Sequence, residues 1–185
     1  ARAQGRPDWL LRPLLAAFIA YIGFGLGYIV YMTFIIAWLK AIGVSVAESA
    51  AIWSLLGVAT MLAPLVWSRP LALWSNGHAM AAILAVLGLR ALLPVLPVPS
   101  DWQSPVMLGS ALLFGLGMFS APSAVSALIR QSLDKPAWGS AMATFTIAFA
   151  ASQVLAPALG GWIADWTGSL REGLAISAAV ILAAA

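Results

Sequence analysis

The stretch Gly23–Tyr31 reads GFGLGYIVY, and its interpretation decides the fold. Three glycines alternate with bulky residues, close to the G-x-G-x-x-G spacing of a phosphate-cradling loop. A dinucleotide fingerprint needs a strand before it, a helix after it and an acid about 20 residues on. Here unbroken apolar sequence flanks the glycines, and the next acid, Glu48, falls in the following apolar run. The stretch is therefore read as the middle of a hydrophobic helix. At 100° per residue, Ala16, Ala20, Gly23 and Gly27 share one stripe, a small-xxx-small surface that lets a second backbone approach closely. Tyr21, Phe24, Gly25, Tyr28 and Met32 fall on a different face. The helix is expected to be smooth on one side and aromatic, partly polar, on the other. Each buried phenol needs a hydrogen-bond partner. Neighbouring backbone or side chains supply one, and so would a water-filled cavity or a ligand.

Composition sets the solvent. Of 185 residues, 63% are hydrophobic and only 8% charged, whereas a soluble domain carries about a quarter charged residues. No cysteine is present, which excludes disulfides and thiolate metal sites. Crossing a bilayer takes about 20 apolar residues. Runs of that kind are read at Pro13–Leu39, Val46–Trp67, Leu71–Leu96, Pro105–Ile129 and Gly139–Ala164, with a sixth from Gly173 that is cut short. The short loops leave no room for a soluble domain. Both ends look like cuts from a longer polypeptide.

Tryptophan and charge fit this map. Indoles gather at membrane interfaces, and Trp9, Trp38, Trp67, Trp74, Trp102, Trp138, Trp162 and Trp166 lie at or just beyond the expected span ends, with Trp53 deeper. If the N-terminus is cytoplasmic, Arg2, Arg6, Arg12, Arg69, Arg130 and Lys135 lie inside and only Lys40 and Arg171 outside, as the positive-inside rule asks. Arg90 falls within the third span. It stands about 9 Å of helix from Leu96, so it is expected to snorkel to the outer interface. Arg69, in a tight turn Ser68–Pro70, is expected to anchor the inner surface.

The chain also carries an internal echo. FGLG occurs at Phe24–Gly27 in the first span and again at Phe114–Gly117 in the fourth; Ala-Pro occurs at 63–64 in the second and at 156–157 in the fifth. Both offsets are about three spans, an odd number, so the repeat would be inverted in the membrane, as in the three-helix repeats nested in each half of a major facilitator transporter.

FGLGYIVYMTFIIAWL, Phe24–Leu39, resembles the seventh membrane helix of the YbfB/YjiJ-type branch of the major facilitator superfamily. ATFTIAFAASQVLAPALGGWIADWTGSL, Ala143–Leu170, is similar to its eleventh helix and the following loop. The resemblance runs in order along nearly the whole chain. It departs at Ala156, where related transporters often have Gly before the proline, a change that touches local packing only. The resemblance implies an all-α, polytopic bundle: the C-terminal half of a secondary transporter in the bacterial inner membrane. Residues 1–12 would be the cytoplasmic linker between halves and residues 13–185 six membrane helices, the last truncated. The partners implied are a small-molecule substrate, the lipid bilayer and the N-terminal six-helix half of the same polypeptide. No nucleic acid, cofactor or metal is implied, and no catalytic residue.

In this superfamily the first and fourth helices of each half, with faces of the second and fifth, line the cavity, and the third is peripheral. Carried onto this chain, the cavity candidates are Tyr21, Phe24, Tyr28, Met32, Phe114, Thr146, Phe149 and Gln153. Ala16, Ala20, Gly23 and Gly27 are candidates for helix packing, and Pro157 for a hinge, since proline removes a helix hydrogen bond. Gln153 near mid-span either holds a polar solute or bonds a neighbouring helix. Ser110 reads as structural. No Asp or Glu lies mid-span to carry a coupling proton; the missing half would supply one. Two other classes stand beside transport. An intramembrane serine hydrolase needs a histidine base beside its nucleophile, but His78 and Ser110 fall at opposite sides. A self-contained channel or scaffold would be a homo-oligomer, mated through the smooth Ala16–Gly27 face.

Overall fold

The computed structural model describes residues 13–185; the expected linker, residues 1–12, with Arg2, Arg6, Trp9 and Arg12, lies outside the described residues. Among these, the regular structure is helical throughout: α1 (Pro13–Ala41), α2 (Val46–Leu73), α3 (His78–Leu92), α4 (Ser100–Met118), α5 (Ser120–Ser132), α6 (Trp138–Thr167) and α7 (Leu170–Ala183), with 3₁₀ turns at Leu93–Val95 and Lys135–Ala137. Five segments are long and apolar enough to cross a membrane, α4 and α5 counting together as Ser100–Ser132.

Local chemistry sets the helix ends. Gly43 sits at φ +82 after α1. Its N–H meets the Lys40 carbonyl at 3.1 Å and the Val44 N–H meets that of Leu39 at 3.0 Å. This double bond around a left-handed residue is a Schellman close, which glycine enters without a Cβ penalty. Two residues on, the Ser45 hydroxyl accepts the Glu48 N–H at 3.1 Å and caps the start of α2.

Several ends differ from expectation. α2 does not stop at Trp67 but runs through Pro64 and Pro70 to Leu73, so Arg69 lies on a helix and not in a tight turn. The third span accordingly starts at His78 and not Leu71. Helix α4 begins at Ser100, ahead of Pro105, and α7 at Leu170, ahead of Gly173. The fourth span is two helices, broken at Phe119. Pro122 explains the break: it has no N–H for the Met118 carbonyl and its ring crowds that group. The neighbouring Leu116 carbonyl is served by side chains, the Ser120 hydroxyl at 3.0 Å and the Trp67 indole N–H at 2.8 Å. Trp67 is thus an interior residue, 7% exposed, and not part of an interfacial belt. Pro157, the expected hinge, lies within an uninterrupted α6.

The helices pair in two matching sets. Helix α1 packs chiefly on α6 and α7; α4 packs chiefly on α2 and α3; α3 and α7 meet each other. Exchanging the first three spans for the last three reproduces the pattern. The two copies run in opposite directions: the Trp38 indole near the end of α1 donates to the Pro94 carbonyl at 2.9 Å, just ahead of α4. At that same end the Ser104 hydroxyl at the start of α4 donates to the Glu48 carboxylate.

The FGLG echo occupies equivalent places in this pattern. A Cβ on Gly25 would meet Phe149 and Ser152 of α6, and one on Gly115 would meet Leu56, Ala59 and Thr60 of α2. A Cβ on Gly27 would meet Ile181 and Ser177 of α7, and one on Gly117 would meet Leu87 of α3. Phe24 and Phe114 are 1% and 0% exposed. The stripe through Gly23 and Gly27 is therefore filled by α7 of the same bundle, where Ala184 and Val180 face Gly23. It is not free for a second copy.

Candidate functional site

An aromatic face joins α1, α4 and α6. Phe149 of α6 stacks on Tyr21 at 4.8 Å and on Phe24 at 5.5 Å between ring centroids, and on Tyr28 at 6.3 Å. Tyr28 stacks on Phe114 of α4 at 5.9 Å. Phe145 extends the group, 6.0 Å from Tyr21. The one-turn spacing of Tyr21, Phe24, Tyr28 and Tyr31 puts four rings along one side of α1. Gly25 admits the rim of Phe149, whose ring would lie 2.9 Å from a Cβ there. Tyr28 and Phe149 are half-buried while Phe24 and Phe114 are sealed behind them, so the face has an accessible layer and a buried one.

The other cavity candidates do not join this group. Thr146 is exposed, and Gln153 is half-buried with no hydrogen-bond partner among the described residues. The side of α6 that meets α1 is Phe145, Phe149, Ser152, Ala156 and Gly160, the last against Val30 and Phe34. Thr146 and Gln153 sit on an adjoining side. Met32 packs half-buried against the core. Ala16 and Ala20 line shallow spaces beside Ala184 at the far end of α1.

Behind the aromatic face lies a charge that the sequence reading misplaced. Arg90 does not snorkel to an interface; it is 0% exposed. Its guanidinium carbon stands 3.4 Å from the centroid of the Phe114 ring and 4.0 Å from that of Tyr31. None of its three side-chain nitrogens has a hydrogen-bond partner among the described residues. Beside it the hydroxyls of Tyr31 and Ser110 meet at 3.2 Å, and the Ser110 hydroxyl donates to Arg90's own carbonyl at 3.1 Å.

Energetics make this arrangement unusual. A desolvated cation–π contact contributes about 2 kcal/mol. An isolated buried charge costs several kcal/mol even after relaxation, and more within a membrane. Two rings therefore offset only part of the cost. The acids among the described residues lie at helix ends or in loops: Glu48, Asp101, Asp134, Asp165 and Glu172. None of them reaches the guanidinium. Tyr31 and Arg90 are the residues that sequence reasoning missed.

The apolar helices, five segments of membrane-spanning length with α7 beside them, form a multi-pass helical membrane bundle with a two-fold internal pattern. The sequence profile of the family described as uncharacterised MFS-type transporter YbfB matches residues 2–185, and the chain belongs to that family. No curated protein and no solved structure matches the chain.

Proposed function

We propose that this chain is one six-helix half of a secondary transporter that moves a small solute across the bacterial inner membrane by alternating access. Its N-terminal end would face the cytoplasm. The N-terminal six-helix half of the same polypeptide would complete the path. The observation that carries this reading is the antiparallel pairing of the two repeats, together with what it leaves uncovered. The symmetry mates α2 and α6 both present apolar sides without a partner: Met61 and Leu65 are 80% and 77% exposed on α2, and Ile147 and Val154 are 70% and 78% exposed on α6. Two such flanking faces suit a second bundle that rocks against this one, with the Tyr28–Phe149 layer lining the path between.

Two measurements test the proposal. The native polypeptide in its source membrane should be about twice this chain's length, as two six-helix halves require; a native chain of about this length would instead favour a homo-oligomeric channel or scaffold. The lack of native cysteine in this chain allows single-cysteine labelling from each side of the membrane. Thr33→Cys and Ala150→Cys should exchange accessibility as solute is added, and fixed accessibility at both positions would defeat alternating access.

A further inference from the structure

We propose that Arg90 is the anchor for the anionic headgroup of the transported solute, a small carboxylate with a flat apolar body; this rests on the transport reading above. The guanidinium is wholly buried with every nitrogen unpartnered among the described residues. Arginine presents five N–H donors in a planar fork that fits a carboxylate, and here its guanidinium carbon sits over both Phe114 and Tyr31, whose tilted rings lie 5.1 Å apart between centroids. Its donors match the two oxygens of a carboxylate. The Tyr31 and Ser110 hydroxyls hold the Arg90 main chain in place, Tyr31 donating to Ser110 at 3.2 Å and Ser110 to the Arg90 carbonyl at 3.1 Å.

The repeat sharpens the point. Leu87 lies on Gly117 as Ile181 lies on Gly27, so Arg90 in one repeat corresponds to Ala184 in the other. Ala184 simply fills space against Gly23. The other repeat thus carries a methyl group where this one carries a guanidinium. Phe114 links the cation to the accessible layer, because its ring contacts Arg90 on one hand and stacks on half-buried Tyr28 on the other. A carboxylate arriving between Tyr28 and Phe149 is parted from the guanidinium by the Phe114 ring alone, which must swing aside for the two to pair. Its apolar body would remain among Tyr21, Phe24 and Phe149, whose near-parallel rings suit a flat group.

The test uses the purified full-length protein in detergent, with benzoate as probe and benzamide as its neutral counterpart, read by ligand-induced thermal shift. Benzoate should raise the melting temperature saturably, and benzamide should not. Arg90→Gln should weaken the benzoate half-saturation at least tenfold, and Tyr31→Phe should weaken it severalfold. Equal shifts with benzoate and benzamide, no shift with either, or an undiminished benzoate shift in Arg90→Gln would each overturn the proposal. Should Arg90→Gln fail to fold, the wild-type comparison and Tyr31→Phe decide alone. Binding in detergent needs no transport, so the two readings separate. Charge-selective binding without benzoate flux in proteoliposomes would defeat transport and keep the anion site. Solute flux with no charge selectivity would do the reverse.

Discussion

Replacing the four glycines of the FGLG repeat by alanine, one at a time, should split them into two severe and two mild cases. The ordering follows from what each new methyl group meets. At Gly115 the added Cβ would lie 2.3 Å from the Leu56 carbonyl oxygen and 3.0 Å from the Thr60 nitrogen, both main chain of α2. At Gly27 it would lie 2.6 Å from the Ser177 carbonyl oxygen of α7, besides 2.4 Å from Ile181. Backbone cannot turn aside, so the helices must part by roughly 1 Å to restore ordinary contact, and a gap of that size forfeits a quarter to a half of each dispersion contact it opens. At Gly25 and Gly117 the three nearest atoms are all side-chain atoms and the closest lie at 2.9 Å and 2.7 Å, the Phe149 rim with the Ser152 Cβ and the branched end of Leu87, a smaller overlap than at Gly115. Overpacking costs about 1–3 kcal/mol, and alanine returns about 1 kcal/mol of helix propensity. Gly115→Ala and Gly27→Ala should therefore lose about 2 kcal/mol net, and Gly25→Ala and Gly117→Ala less than about 1 kcal/mol. Gly57 in α2 has nothing within 4 Å of an added Cβ in this bundle, so Gly57→Ala is the comparison and should cost less than Gly115→Ala. Steric trapping of the full-length protein in mixed micelles measures these differences. If Gly115→Ala were as stable as Gly57→Ala, the close α2–α4 approach would be refuted.

Trp67→Phe keeps the ring but removes the donor to Leu116, leaving the opened carbonyls at the α4–α5 break with one partner fewer; a loss of about 1 kcal/mol by the same assay is expected, and no loss would mean the indole bond does not support the break. Gly43→Ala enters open space but at φ +82, so it should cost about 1 kcal/mol through strain in the Schellman close, against no change if α1 ends another way. Gln153→Leu should lower solute flux in the full-length protein without changing its melting temperature, since Gln153 has no partner to lose among the described residues; unchanged flux would remove it from the path.

Spans and repeat were legible because both rest on strong, local signals. A run of about 20 apolar residues has few alternatives to a membrane helix, and FGLG marks two places where the same close approach is needed. Arg90 was not legible for a physical reason. Burial and snorkelling share one sequence signature, a lone cation a turn or two from a helix end, and they differ only in which side of the helix the residue occupies. Helix α3, HAMAAILAVLGLRAL, is apolar all round, so hydropathy does not mark its inward side. Trp67 was misread for a similar reason: an indole at a span end serves the interface unless a main-chain carbonyl near the α4–α5 break, here that of Leu116, draws it inward. On α6 the sequence does not show which side packs inward. Thr146 and Gln153 lie on a plausible polar side, yet the small residues Ser152, Ala156 and Gly160 decide which side meets α1.

The two repeats agree at the phenylalanine and glycines of FGLG, which pack against equivalent helices, and differ at Arg90. Phe24 answers to Phe114, Gly25 to Gly115 and Gly27 to Gly117, each against the equivalent helix. These positions are governed by the distance between backbones, which the symmetry fixes alike in both copies. Arg90 against Ala184 breaks the match, and Tyr31 and Ser110 gather at the break. A duplicated scaffold needs only one copy of a costly polar group to bind one headgroup, and a second buried cation would double the desolvation penalty without adding a ligand. Departures from an otherwise kept symmetry are therefore where solute chemistry should be sought in this bundle. By that criterion Arg90, on a helix expected to be peripheral, ranks ahead of Gln153 on the helix expected to line the path.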